Sequence, residues 1–370
     1  MGPIFLKKLL ASNANANARR ALICFPILSL MVWLALKNYG YVRAGLFNPN
    51  FNVIFEFYQL NLILLPIGFL LLGIVYAVLF FFLSKHRVLL SLLCLGLISM
   101  SLILIGLRTY ITEIEPYKLR VQRVTQYSSK LSQPLRIVHF SDIQSAGIGT
   151  YEARIFKTIR SIEPDLVLYT GDFLQLPRSL DFNSEWGKLL NLFKGLKPRF
   201  GIFAVYGDTE LELYSKSRSE IAPIQLLSSR SDRFSFEGGD ISIYGLSLYN
   251  SKNPLWAMRG IESWITDESE NSFKIIIGHA PDYALALKDS PIDLCLAGHT
   301  HGGQVRLPFI GPLVIDSAVP KSWAQGFTKI GIPHLNVSAG AGSNRYNGLP
   351  ALRFNCPTEL TVIEILPYKP

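Results

Sequence analysis

Hydrophobic positions fall along this chain in two regimes. In the first third they form unbroken runs, Ala21–Leu36, Leu60–Leu83 and Val88–Leu107, and none of the three holds a charged residue. The last two are long enough for a helix to cross a bilayer, which takes about 20 residues. The first is shorter and spans only if Lys37 and the nearby tyrosines snorkel at the interface. No run has a polar face, so buried helices of a soluble domain are a poor fit. A polar connector, Arg108–Pro134, follows, and its Glu115-Pro116 and Gln133-Pro134 resist helix continuation.

From Leu135 the apolar segments shorten and change period. Leu135–Phe140, Asp165–Tyr169, Gly201–Tyr206, Ile241–Gly245, Phe273–Ile277 and Ile292–Leu296 read as strands. Tyr151–Ile162, Trp186–Phe193, Ile221–Leu227, Leu255–Ile265 and Tyr283–Leu287 have helical spacing. Val305–Leu307, His334–Val337 and Leu360–Ile365 close the chain as further strands. Alternating strand and helix, then a run of strands, predicts an α/β domain with at least one largely parallel sheet. The expected division is a basic polar N-terminus (1–20), a membrane region with three transmembrane helices (21–107), a linker (108–134) and an α/β domain (135–370).

Composition supports the membrane reading. Mean hydropathy is +0.28, and the excess lies before residue 110. Net charge is +9, which suits anionic lipid or a phosphorylated substrate. Clustered basic runs of the nucleic-acid type are absent, so no nucleic-acid partner is expected. The four cysteines (Cys24, Cys94, Cys295 and Cys356) form no C-x-x-C, which argues against a disulfide framework or a zinc–cysteine site. Asn13–Ala18 is a short polar repeat. Arg19-Arg20 precedes an apolar run as in a twin-arginine export signal, but no A-x-A cleavage site follows and two further spans do, so it reads as a basic flank. The expected location is the cell membrane, multi-pass. Basic residues are nearly balanced across the spans. Discounting the long C-terminal part leans toward a cytoplasmic N-terminus and a C-terminal domain on the outer side.

In open α/β sheets ligands bind beyond the carboxyl ends of strands. Here those positions carry Ser141-Asp142-Ile143-Gln144, Thr170-Gly171-Asp172, Gly207-Asp208-Thr209-Glu210, Gly278-His279 and Gly298-His299-Thr300-His301; only the end of Ile241–Gly245 offers nothing evident. Three of the six histidines are in this set. His139 lies inside a strand and reads as core; His86 reads as a juxtamembrane basic residue. Carboxylate, amide and imidazole together suit Mn, Fe or Zn. More than six donors exceeds the need of one ion, so two ions sharing a carboxylate is the economical reading, and such pairs activate water and clamp phosphoryl oxygens.

These motifs, in this order, resemble the calcineurin-like metallophosphoesterase superfamily, whose pattern is D-x-H, G-D, G-N-H-D/E, G-H, G-H-x-H. The stretch Gly298–Gln304 followed by Leu307–Gly311 resembles its membrane-associated bacterial branch, which includes exported phosphodiesterases and a UDP-2,3-diacylglucosamine pyrophosphatase of lipid A synthesis. The likeness covers residues 115–366. It implies a four-layer α/β/β/α sandwich around two divalent ions. Asp142, Gln144, Asp172 and His301 would hold one ion. Asp208, His279 and His299 would hold the other, and Asp172 would bridge. Asp172, Asp208 and His299 are expected to carry catalysis. Two departures stand out. Gln144 replaces a histidine, and Thr209 replaces the family's catalytic histidine. A diphosphate expels a phosphate monoester, which needs little proton help, whereas an alkoxide leaving group benefits from a general acid. Diphosphate-cleaving members carry similar substitutions. The expectation is therefore a diphosphate, such as a nucleotide–lipid, as substrate. A phosphodiesterase and a catalytically weakened metal-binding module are the alternatives. A transporter is disfavoured because the spans lack ionisable residues. Arg345 and Arg353, near the glycine-rich Ser338–Arg345, are candidates to bind phosphate.

Overall fold

The computed structural model describes residues 16–48, 50–345 and 348–368. Most of the N-terminal segment read as basic and polar therefore lies outside the described residues. The chain divides into two compact units, Met1–Arg108 and Thr109–Pro370.

In the first unit the apolar runs become helices. Among the described residues three are long and apolar enough to cross a membrane, Asn17–Arg43, Phe51–Phe82 and Ser84–Tyr117 (the last runs on past Arg108), and they associate the chain with a membrane. The first is longer than its apolar run predicted. Its helix continues through Lys37 to Arg43, and 27 residues at 1.5 Å each reach about 40 Å. Asn38 and Asn61 exchange side-chain hydrogen bonds (2.9 and 3.2 Å) between neighbouring helices. Tyr76 donates to the Ile23 carbonyl at 2.7 Å and Ser101 to that of Pro66 at 2.8 Å, so the buried hydroxyls are satisfied.

Among its described residues the second unit holds fourteen strands: β1 Arg120–Ser128, β2 Leu135–Phe140, β3 Leu166–Tyr169, β4 Ile202–Ala204, β5 Ile224–Leu226, β6 Arg230–Phe236, β7 Gly239–Gly245, β8 Phe273–Ile277, β9 Leu294–Ala297, β10 Arg306–Leu307, β11 Gly311–Pro312, β12 Gly326–Lys329, β13 His334–Val337 and β14 Glu359–Pro367. One six-stranded sheet runs β1-β14-β2-β3-β4-β5, and the other runs β12-β13-β9-β8-β7-β6; β10 and β11 form a small hairpin. The strands β2 to β5 are parallel, as are β7, β8, β9 and β13.

Period-two alternation stacks these sheets into four layers. Ile137, Leu166, Leu168, Ile275, Ile277 and Leu296 point between the sheets. Their neighbours Val138, Val167 and Tyr169 face outward onto the helices Thr150–Ile162 and Phe182–Lys194. On the far side Ile276, Cys295 and Ala297 meet helix Pro254–Asp267. The predicted α/β/β/α sandwich is the observed fold.

Some segments differ from the sequence reading. The linker region 108–134 carries β1, an edge strand paired in parallel with β14 over its whole length. Its sequence is mostly polar, with Gln126 and Ser128 buried while Val121 and Tyr127 are exposed, so no apolar alternation marked the strand. Ile221–Leu227, expected to be helical, splits at Pro223 into a short helix Arg218–Ile221 and strand β5. Tyr283–Leu287 is a tight 3-10 turn, Pro281–Ala286. Strand β6 escaped notice because its outer face is polar; its Phe234 stacks on Phe200 with ring centroids 4.7 Å apart.

His139 is core, as expected. It is fully buried between Thr170 Oγ1 (3.0 Å) and Asn336 Nδ2 (2.7 Å), and burial pushes its pKa down to about 3. The unfolded chain thus takes up a proton here below about pH 6.5 that the folded chain refuses down to about pH 3. The neutral histidine's contribution is present above pH 6.5 and is lost as pH falls. His139→Gln should therefore lose less stability than the wild type between pH 6.5 and 5, measured by thermal unfolding of the detergent-solubilised chain.

Candidate metal centre

The candidate ligands sit where the strand register puts them, at the carboxyl ends of β2, β3, β4, β8 and β9. The backbone there is strained. Asp142, Gln144, Asp172, His299 and His301 all have positive φ (51°, 36°, 62°, 67° and 49°), a region that costs an L-residue about 1–2 kcal/mol. Such strain persists only where the surroundings over-determine it. Here the buried Tyr169 hydroxyl donates to the Asp172 carbonyl (2.8 Å) and accepts from the Ile143 N–H (3.1 Å), tying the first two loops together. Gly342 and Ala341 donate to the carbonyls of Asp142 and Ser141 (2.8 and 2.7 Å). The glycine-rich Ser338–Arg345 therefore props up the ligand loop. Glu210 receives the N–H groups of Gly207 (2.5 Å) and Phe173 (2.7 Å), and burial, with Asp172 close by, raises its carboxyl to about 8.

Two glycines are dictated by contact. A Cβ on Gly207 would lie 2.2 Å from Asp172 Oδ1, and one on Gly298 would lie 2.0 Å from Ser141 Oγ and 2.3 Å from Asp142 Oδ2. Both let backbone approach a ligand carboxylate.

The side chains converge into two groups, Asp208–His279–His299 and Asp142–Asp172–His279, each with donor atoms within 4.8 Å of one another. His279 donates through Nδ1 to the Thr170 carbonyl (2.7 Å), which turns Nε2 toward Asp208 (3.4 Å) and Asp172 (3.6 Å). His299 Nδ1 lies 3.0 Å from Asp208 Oδ2 and 3.2 Å from His279 Nε2. His301 Nε2 is 3.5 Å from Asp142 Oδ1. Gln144 Nε2 donates to Asp172 Oδ2 at 2.5 Å. All seven expected donors are thus brought together.

Electrostatics follow from crowding anions in a buried place. Burial raises the Asp142 carboxyl to about 6, against the opposing pull of His279. Burial alone would lower His279, but Asp172 and a hydrogen bond to Asp208 outweigh it and hold it near 10. Burial pushes Asp208 up as well, yet His279 and His299 carry it well below the usual carboxylate range. His301 is driven well below its ordinary value by burial and by Arg353.

The residues fit a divalent ion. Gln144 Oε1 is buried without a hydrogen-bond partner among the described residues, and an orphaned amide oxygen is costly unless something ligates it. His301 is held neutral, as a ligand must be.

Arg353 corrects an expectation. It is fully buried, and its guanidinium binds the carbonyls of Ala339 (2.7 Å), Gly342 (2.9 Å from Nε) and Cys356 (3.0 Å), with Nη2 3.5 Å from His301 Nδ1. With every donor engaged below the surface, it cannot meet substrate; it positions the ligand loops. Arg345 is half-buried, with Nη1 3.3 Å from the Gln144 carbonyl. Sequence reasoning missed Lys252, whose Nζ lies 2.7 and 3.0 Å from the two oxygens of Asp208, and Asp316, 3.8 Å from His299 Nε2. Neither stands in a motif, and surface lysines and aspartates are too common to signal themselves.

Metal uptake should expel the proton that the carboxylates hold on His279. Apparent affinity for Mn or Zn is expected to rise with pH between 6.5 and 8, by about tenfold per unit for one displaced proton; a flat titration would contradict it. Gly298→Ala should leave the circular dichroism spectrum intact and cut bound metal, read by elemental analysis.

Comparison with known proteins places the chain in a family. Residues 135–303 match the family profile described as calcineurin-like phosphoesterase. The chain is 30% identical over 266 residues to the uncharacterized metallophosphoesterase YkuE of Bacillus subtilis, covering 69% of this chain and 88% of that protein. It is 28% identical over 207 residues to the phosphodiesterase YaeI of Escherichia coli, covering 55% of this chain and 71% of that one. It is 25% identical over 230 residues to the UDP-2,3-diacylglucosamine pyrophosphatase LpxG of Chlamydia muridarum, covering 47% and 66%. With donors at five strand ends and these relatives, the chain belongs to the calcineurin-like metallophosphoesterases, hydrolases of phosphoester or diphosphate bonds.

Proposed function

We propose that this chain is a membrane-anchored, multi-pass di-metal phosphohydrolase that cleaves the diphosphate of a nucleotide–lipid such as UDP-2,3-diacylglucosamine. The observation that carries the reading is the contrast between a complete donor set and Thr209. Seven donors converge, yet the residue after Asp208 is a threonine whose Oγ1 is 3.4 Å from Glu210 Oε1. A hydroxyl there does not serve as the general acid that an alkoxide needs. A diphosphate avoids that need. Water oxygen ends on the attacked phosphorus, the P–O bond to the bridging oxygen breaks, and that oxygen leaves on an already acidic phosphate monoester.

In this reading Asp142, Gln144, Asp172 and His301 would hold one ion, and Asp208, His279 and His299 would hold the second, with Asp172 serving both. The mixed donors suit Mn, Fe or Zn. Such ions, when bound, supply Lewis acidity toward the phosphoryl oxygens and an activated water. The chain's own part is orientation. His279 is aimed by the Thr170 carbonyl, Asp172 is fixed by the N–H groups of Asp208 (2.5 Å) and Thr209 (3.1 Å), and Arg345 stands beside Gln144 to take a phosphate oxygen. The Chlamydia relative named as a pyrophosphatase supports the substrate class, and the membrane-competent helices suit a lipidic substrate. The E. coli relative named as a phosphodiesterase favours a second reading, in which an ordinary phosphodiester is the substrate.

The purified full chain, supplied with Mn, should hydrolyse UDP-2,3-diacylglucosamine faster than an aryl phosphodiester. Asp172→Ala should lower kcat by more than about 100-fold, the scale of losing one transition-state stabilising group. Preference for the aryl phosphodiester would replace the diphosphate reading with the second one. Turnover unchanged in Asp172→Ala would overturn the metal assignment.

A further inference from the structure

The loop after β7 is the one strand end at which the sequence offered no ligand, and the structure puts a cation there. The four-residue helix Leu248–Ser251 follows β7, and Lys252 caps it by donating its N–H to the Leu248 carbonyl at 3.3 Å. This turn is fastened to the metal centre. Ser251 is fully buried, and its hydroxyl accepts the N–H of Ala280, next to His279, at 3.2 Å. The root of Lys252 is therefore fixed against the loop that carries His279.

From that root the side chain reaches both oxygens of Asp208, at 2.7 and 3.0 Å, while staying 39% exposed. An ammonium has three donors, and two oxygens of one carboxylate leave one to spare. The side chain's exposure leaves that donor accessible to solvent. Other cations near the centre are placed differently. Arg353 is fully buried and spent on carbonyls, and Arg345 stands by Gln144, at the first ion's end. At the second ion's end, Lys252 adjoins the residue that precedes Thr209.

We propose that Lys252 contacts the substrate: its ammonium, seated on Asp208, binds a non-bridging oxygen of the departing phosphate and supplies the positive charge that a histidine at position 209 would have brought. This rests on the phosphohydrolase reading of the site and deepens it. It explains how Thr209 is tolerated. A leaving phosphate gains negative charge as the P–O bond breaks, and a fixed cation stabilises that charge without transferring a proton. A point charge on a flexible stem suits a phosphate oxygen.

The test compares full-length wild type with Lys252→Met and Lys252→Arg, each supplied with Mn. Bound metal is measured by elemental analysis, inorganic phosphate affinity by calorimetry, and kcat and KM on a nucleotide diphosphate. Lys252→Met is expected to keep the wild-type metal content, bind phosphate about tenfold more weakly, and lose about 100-fold in kcat/KM, with Lys252→Arg recovering most of both. Metal content falling in parallel with phosphate affinity would overturn the proposal, because Lys252 would then merely position Asp208. Unchanged phosphate affinity would overturn it as well. The phosphate titration needs no turnover, so a wild type inactive on diphosphates refutes the substrate reading and still leaves the role of Lys252 decided.

Discussion

Three carboxylates, Asp142, Asp172 and Asp208, meet around the single imidazole of His279, and keeping that much negative charge together away from water is the constraint under which the centre is built. Burial penalises each ion, so each must be answered by a proton, a cation or a row of N–H groups. The structure uses the last two. Asp172 receives two backbone N–H groups, Asp142 receives the N–H of His299, and Asp208 takes Lys252. These arrangements need backbone turned the wrong way for ordinary residues, hence the positive φ at five of the seven donors. The two sheets behind them, packed through buried aliphatic and aromatic side chains, are what hold those loops in strain.

A second layer sets the ligands' protonation. Arg353 is placed under His301 with no exposure of its own, and its charge helps to keep that imidazole neutral and able to donate its lone pair. Fixing His301 in this way asks for a buried guanidinium whose donors all find carbonyls, which the turn Ala339–Gly342 and Cys356 provide. The glycine-rich segment thus serves as a scaffold for a buried cation.

Much of this was legible in the sequence, for a physical reason. Parallel strands buried on both faces, such as Leu294–Ala297 and Leu166–Tyr169, read as continuous apolar runs, and the catalytic residues of such sheets fall immediately after them. The donors at 142, 144, 172, 208, 279, 299 and 301 could be found by walking from strand to strand. What stayed hidden lacks such a frame. Strands β1 and β6 lie at sheet edges and are mostly polar in sequence. Lys252 and Asp316 come to the centre through loops that no periodicity marks. Arg353 was misplaced because a charged residue beside a glycine-rich loop reads as surface, and only packing reveals that it is enclosed.

The order of strands in the first sheet carries a consequence for the assembly of the domain. Strand β14 lies between β1 and β2, antiparallel to one and parallel to the other, although it follows them by more than two hundred residues. During synthesis, β1 and β2 must wait with their facing edges unpaired until nearly all of the described domain has left the ribosome. Long-range pairing of this kind is slow, and a waiting edge is open to other chains. The charged residues of β1, Arg120 and Arg123, together with the Arg136 of β2, give those edges a means of staying soluble in the interval.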